Sequence, residues 1–174
     1  MNTLTLKTKI TFEAPISKVW QGLTEPAMVK QYFFGTNLKA DWKVGGRITF
    51  SGEWEGKTYE DGGTILEIDP PKLLKYTYWS SMSGTEDTPE NYNNITYELS
   101  ENKGVTTLII IQEGVKNQEA LEHSEQNWQS VFDGLKKIIG TNGVKKLIRI
   151  ARIISNYTNP DRLVKIRNNS CNSC

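Results

Sequence analysis

Leu4, Leu6, Ile10 and Phe12 stand in phase with Lys7, Lys9 and Thr11 between them, an alternation that predicts a half-buried strand from Thr3 to Phe12. Ala14-Pro15 interrupts it. Ile16, Val19, Trp20 and Leu23 then recur at helical spacing behind a proline suited to a first helical turn. A second short helix is expected after Thr24-Glu25-Pro26, which reads as a cap and a proline start, with Met28, Val29, Tyr32 and Phe33 as its apolar stripe before Gly35.

From Leu38 to Gln112 the period becomes two. Gly45-Gly46 opens a run in which Ile48, Phe50, Gly52 and Trp54 share one face, and Glu55-Gly56-Lys57 closes it as a turn. Further strands are predicted at residues 58–68, 73–80, 93–99 and 105–112, divided by Asp69-Pro70-Pro71, the polar stretch 81–90 and the turn 101–104. Connections this short favour antiparallel neighbours.

Asn117 is placed to cap a long helix that Lys136 and Lys137 favour electrostatically and Gly140 is expected to end. Its stripe is Leu121, Ser124, Trp128, Val131, Phe132, Leu135, Ile138 and Ile139, opposite Glu119, Glu122, Gln126, Gln129 and Asp133. At 1.5 Å per residue such a helix is roughly 33 Å long, enough to cross a whole sheet. After Asn142-Gly143 a further short helix is expected over residues 144–154, with Lys145, Lys146, Arg149 and Arg152 on one arc and Leu147, Ile148, Ile150, Ala151 and Ile154 on the other. The polar, Asn-rich remainder, 155–174, reads as a flexible tail.

Composition adds bounds to this picture. The 174 residues suit one domain, 1–140, with a basic C-terminal extension, 141–174. No apolar run approaches the roughly 20 residues of a membrane span, and the first residues lack the basic and apolar blocks of a secretory signal, so a cytoplasmic protein is expected. Beyond Gly140 seven basic residues face Asp161 alone, which leaves 14 basic and 19 acidic groups, a net −5, in residues 1–140. Such a body repels nucleic acid. The basic helix could meet an acidic surface, including anionic lipid.

Candidate chemistry is sparse. Cys171 and Cys174 form a C-x-x-C, but two further zinc ligands are missing and His123, the sole histidine, falls on the flank of the long helix and reads as a surface residue. Nucleophile-elbow, phosphate-loop, dinucleotide and zinc-protease motifs are absent. The carboxylate pairs Glu53/Glu55 and Glu60/Asp61 adjoin turns and are expected to be solvated. No catalytic residue, metal or cofactor is expected, and the chain reads as something other than an enzyme.

Aromatic residues carry the positive signal. Trp20, Trp42, Trp54, Tyr76, Tyr78, Trp79, Tyr97, Trp128 and Phe132 lie on elements that must face one another if a sheet wraps a helix. Core packing accounts for many such rings. A cavity between a curved sheet and a diverging helix is the sharper reading, with Trp54, Tyr76, Tyr78, Trp79, Trp128 and Phe132 as its candidate lining and indole and phenol groups as polar handles.

Particular residues carry a family resemblance: Ala14-Pro15 with Val19-Trp20 and Leu23-Thr24-Glu25-Pro26; Asp41 and Gly45-Gly46 before Ile48 and Phe50; Gly63 followed by Glu67-Ile68-Asp69-Pro70-Pro71; Leu73 and Tyr76-Thr77; Thr107-Leu108 before Gln112-Glu113-Gly114; Trp128 with Leu135. Their order resembles the START-like (SRPBCC, birch-pollen-allergen-like) superfamily, and within it the homologues of the activator of the ninety-kilodalton heat-shock-protein ATPase. Tyr32 stands where that family often has tryptophan, Tyr78-Trp79 replaces a usual single aromatic, and the extension from Thr141 has no family counterpart. The resemblance covers residues 1–140. It implies an α+β helix-grip fold, in which a curved antiparallel sheet of about six or seven strands wraps a long C-terminal helix and two short helices follow the first strand. It also implies a cavity for a hydrophobic or amphipathic small molecule. A cochaperone-like domain with a chaperone partner, or a cyclase-like or hydrolase-like enzyme using the same cavity, are the alternatives.

Overall fold

The computed structural model describes the backbone of residues 3–157 and the side chains of residues 3–140. Strand β1 (Leu4–Phe12) leads into α1 (Ile16–Thr24) and α2 (Pro26–Tyr32). Six strands follow: β2 (Asn37–Ala40), β3 (Arg47–Trp54), β4 (Lys57–Asp69), β5 (Leu73–Tyr78), β6 (Asn93–Asn102) and β7 (Val105–Val115). Helix α3 (Gln118–Tyr157) comes last. The strands form one antiparallel sheet in the order β1-β7-β6-β5-β4-β3-β2, a meander from β2 to β7 with β1 closing on β7. Short turns explain the meander, since each strand can pair with its successor without a crossover. With α3 packed on its concave face, this is the helix grip.

Period-two patterning sets which side chains reach that face. Leu6 and Phe12 of β1, Ile48 and Phe50 of β3, Ile65 of β4, Leu74 and Tyr76 of β5, Ile95, Tyr97 and Leu99 of β6, and Leu108 and Ile110 of β7 are all buried. Phe132, Leu135 and Ile139 of α3 complete the core with Val19 and Leu23 of α1 and Val29 of α2. A β carbon at Gly22 would stand 2.7 Å from Leu135 Cδ1, so α1 and α3 approach closely there.

Caps follow the expected scheme only in part. The backbone N–H of Ala120 donates to Asn117 Oδ1 at 2.8 Å, which starts α3 as predicted. Thr24 does not cap α2, because its hydroxyl donates back to the Trp20 carbonyl at 2.8 Å and Glu25 occupies the cap position. The first N–H of α1, on Ile16, finds its acceptor far along the chain, in Glu101 Oε2 at 2.7 Å.

Helix α3 does not stop at Gly140. That glycine keeps a helical backbone, outside the left-handed conformation of a C-cap, and a glycine inside a helix costs only about 1 kcal/mol. Lys136 and Lys137 are accordingly mid-helix, and the stretch expected as a separate helix over 144–154 is continuous with α3. The side chains of that stretch, and Cys171, Cys174 and the rest of the chain after Tyr157, lie outside the described residues.

At the centre of β4 the pairing with β5 is interrupted, between the Ile65–Tyr76 pair and an isolated Gly62–Trp79 bridge. Gly62 has φ +149, and a β carbon at Gly63 would run into the Thr77 carbonyl of β5. There the ladder is opened, and the Thr64 N–H donates to Thr77 Oγ1 at 2.9 Å instead of to a main-chain carbonyl.

Candidate ligand site

Alternation along β3, β5 and β6 turns Phe50, Tyr76, Tyr78 and Tyr97 toward α3, and Trp128 meets them from the helix. The rings form a connected series. Phe50 lies 5.9 Å from Tyr76 and 6.1 Å from Tyr78, centroid to centroid. Tyr76 meets Tyr97 at 5.7 Å, and Tyr97 meets Trp128 at 6.0 Å, both edge to face. Such contacts add about 0.5–1.5 kcal/mol each beyond area burial. Outward, Phe50 meets Phe33 at 6.1 Å, Phe33 meets Phe34 at 6.1 Å, and Phe34 meets Trp54 at 5.6 Å. Phe34 and Trp54 are 55% and 46% exposed, so the series runs from solvent into the core. Phe34 holds φ +49, an uncommon backbone for a bulky residue.

Polar groups interrupt the rings at three places. The Tyr76 and Tyr97 hydroxyls bond each other at 2.9 Å. Trp128 Nε1–H donates to Gln112 Oε1 at 2.9 Å, and Gln112 Nε2 donates to Ser124 Oγ at 3.3 Å. The third is Asp61, paired in register with Phe50. Its Oδ2 accepts from the Tyr78 hydroxyl at 2.8 Å and Ser80 Oγ at 3.0 Å, while Oδ1 accepts from Ser81 N–H at 2.8 Å and Ser81 Oγ at 2.9 Å. The expectation of a solvated Glu60/Asp61 pair is therefore half right: Glu60 is exposed and forms an ion pair with Arg47 at 3.1 Å, whereas Asp61 is buried. Period two explains the difference, since Asp61 stands in phase with Gly63 and Ile65 and Glu60 does not. Desolvation pushes the phenols of Tyr32, Tyr76, Tyr78 and Tyr97 above their ordinary range, and at Tyr78 the neighbouring Asp61 charge adds to the rise. Each phenol keeps its proton at neutral pH.

Of the six rings read from the sequence as cavity lining, Tyr76, Tyr78 and Trp128 come together in the series, and Phe132 is fully buried in the adjoining core. Trp54 sits at the exposed outer end. Trp79 is turned to the other side of the sheet from Tyr78; it bridges Gly62, its Nε1–H donates to Thr85 Oγ1 at 3.2 Å, and it lines a hollow of about 350 Å³ with Arg47, Glu60, Gly62 and Tyr92. A second, open hollow of about 590 Å³ lies at the rim, bounded by Phe34, Gly52, Thr58 and Tyr59. The six rings therefore border no common hollow among those two. Sequence reasoning missed Phe33, Phe34, Asp61 and Gln112. The signal for Gln112 was its phase with Leu108 and Ile110 on β7. His123 is exposed, and no group of three or more metal-ligating side chains occurs among the described residues.

Known proteins fit this geometry. No curated protein matches the chain. Among solved structures, that of ChR145 from Cytophaga hutchinsonii is 38% identical, superposes with a TM-score of 0.72, and is matched over 83% of this chain and 99% of its own. Protein CV1439 from Chromobacterium violaceum (22% identity, TM-score 0.63, 78% and 96% coverage) and CalU16 from Micromonospora echinospora (21%, 0.62, 79% and 74%) share the fold. The family model described as activator of Hsp90 ATPase homolog 1-like protein matches residues 13–140. The chain belongs to that family, within the START-like fold that its sequence resembles.

Proposed function

We propose that the protein binds a small amphipathic molecule between the sheet and α3, taking it in at the Phe34/Trp54 rim. One observation carries this reading: the unbroken series of ring contacts from the open rim hollow through Phe33 and Phe50 to Tyr97 and Trp128. An apolar body entering there exchanges ring-ring contacts for ring-ligand contacts of similar energy, so the rings can part at small cost. The interior supports holding rather than turnover, because its buried carboxylate is already engaged by four hydrogen bonds.

The test is a titration with the neutral dye Nile red, read by fluorescence. Saturable binding at one equivalent is expected, weakened about five-fold or more by Trp128→Ala, which removes a large contact surface, and unchanged by Trp79→Ala on the other side of the sheet. Absence of saturable binding, or equal sensitivity to both substitutions, overturns the reading. Native mass spectrometry of the protein from its own host then names the occupant. A second reading, docking to a heat-shock ATPase, takes its support from the family description and from the exposed Trp42 and Val44 between β2 and β3. Capture of that ATPase by the wild type but not by Trp42→Ala is its test.

A further inference from the structure

The direction of the hydrogen bonds around Asp61 restricts what the Tyr78 hydroxyl can offer a ligand. Ser81 N–H can only donate, so Asp61 Oδ1 is fixed as its acceptor, and Oδ2 is left for the hydroxyls of Tyr78 and Ser80. A carboxylate has no proton to give, so Tyr78 must donate to it. That spends the single phenol proton and leaves only acceptor lone pairs on Tyr78 Oη. The Tyr76 and Tyr97 hydroxyls share one hydrogen bond deeper in the buried core, whereas Tyr78 is half-buried beside Phe50, on the path from the rim. Among the described residues Asp61 is also the charged residue within the buried set, with no buried Lys or Arg to balance an anion.

Resting on the binding reading above, we infer that the ligand's polar head is a hydrogen-bond donor without negative charge, a hydroxyl or an amine, received by Tyr78 Oη, and that Asp61 is the positioning residue that sets this polarity. A carboxylate head meets an acceptor and a nearby negative charge. A ketone head meets an acceptor with its own lone pairs. Both leave a buried polar group unpaired, which costs more than the bond itself is worth.

Three compounds sharing one naphthalene body separate these heads: 2-naphthalenemethanol, 2-acetonaphthone and 2-naphthoate, each competing against bound Nile red at neutral pH. In the wild type the alcohol is expected to compete about ten-fold better than the ketone, with the carboxylate weakest, the order of magnitude of one buried hydrogen bond made or left unmade. Asp61→Asn should invert the preference. The introduced amide must keep its oxygen toward Ser81 N–H, so its NH2 replaces Oδ2 and donates to Tyr78, freeing the phenol proton for the ketone. Tyr78→Phe should abolish the difference between alcohol and ketone, which keeps the test open should the first variant fold poorly. Equal competition by alcohol and ketone in the wild type overturns the inference, as does an unchanged preference in folded Asp61→Asn. Failure of Nile red to bind at all is a different result: it sinks the binding reading and the inference with it.

Discussion

Tyr76 and Tyr97 share a hydrogen bond of 2.9 Å inside the core, and the half-buried Tyr32 and Tyr78 have desolvated phenol groups. Desolvation is the first cause of their raised pKa values, above the ordinary 10.0. Below about pH 10 these phenols are neutral in both folded and unfolded chains, and their contribution to stability is fully present. Above it the unfolded chain loses protons that the folded chain retains, so stability falls as pH rises. Absorbance at 295 nm should therefore show four of the seven tyrosines ionising only as circular dichroism reports unfolding. Early, stepwise ionisation of all seven is the contrary result. At this scale the sequence showed that aromatic residues cluster, and left open whether Tyr78 or Trp79 faces inward, because one residue of register decides it. Asp61 was legible in principle from its phase on β4, but an adjacent Glu60 and nearby turn residues made the pair read as solvated.

Elements were easier to read than their ends. Periods of two and 3.6 come from side-chain geometry along a whole segment, so strands and helices declare themselves many times over. Ends depend on one or two residues. Gly140 has the identity of a C-cap but not its left-handed backbone, and tertiary context decides which conformation a glycine takes. Gly63 shows the opposite case, where the residue type is dictated by a neighbour: no φ demands glycine there, but any β carbon collides with the Thr77 carbonyl on β5. Backbone cannot yield as a flexible side chain can. Gly63→Ala should thus destabilise by about 2 kcal/mol or more, the range for forced local distortion, and disturb the Asp61 cluster two residues away. Chemical denaturation and the Tyr78 resonances would report both. A loss below about 0.5 kcal/mol would show that β4 and β5 separate easily at Gly63.

At the level of the whole molecule, charge and length divide the chain at the same place. Residues 1–140 carry a net −5 and the residues after them a net +6, and the family model stops at residue 140. The Cytophaga protein, 99% of which is matched by 83% of this chain, builds a similar fold. Among the residues whose side chains are described, the buried core runs as far as Ile139. A chain ending at Gly140 is therefore expected to unfold within about 1 kcal/mol of the full chain, the scale of fraying a helix end that loses its continuation. Its charge must change much more: removing the extension leaves a net −5 in place of +1, so the shortened protein should be retained on an anion exchanger at pH 7 where the full chain, of pI near 7.7, passes through. Thermal melts at matched ionic strength check the first outcome. A melting point lowered by much more than the few degrees that about 1 kcal/mol represents would mean that the basic segment stabilises the acidic body by charge, and adding salt, which screens such attraction, would then narrow the gap between the two chains.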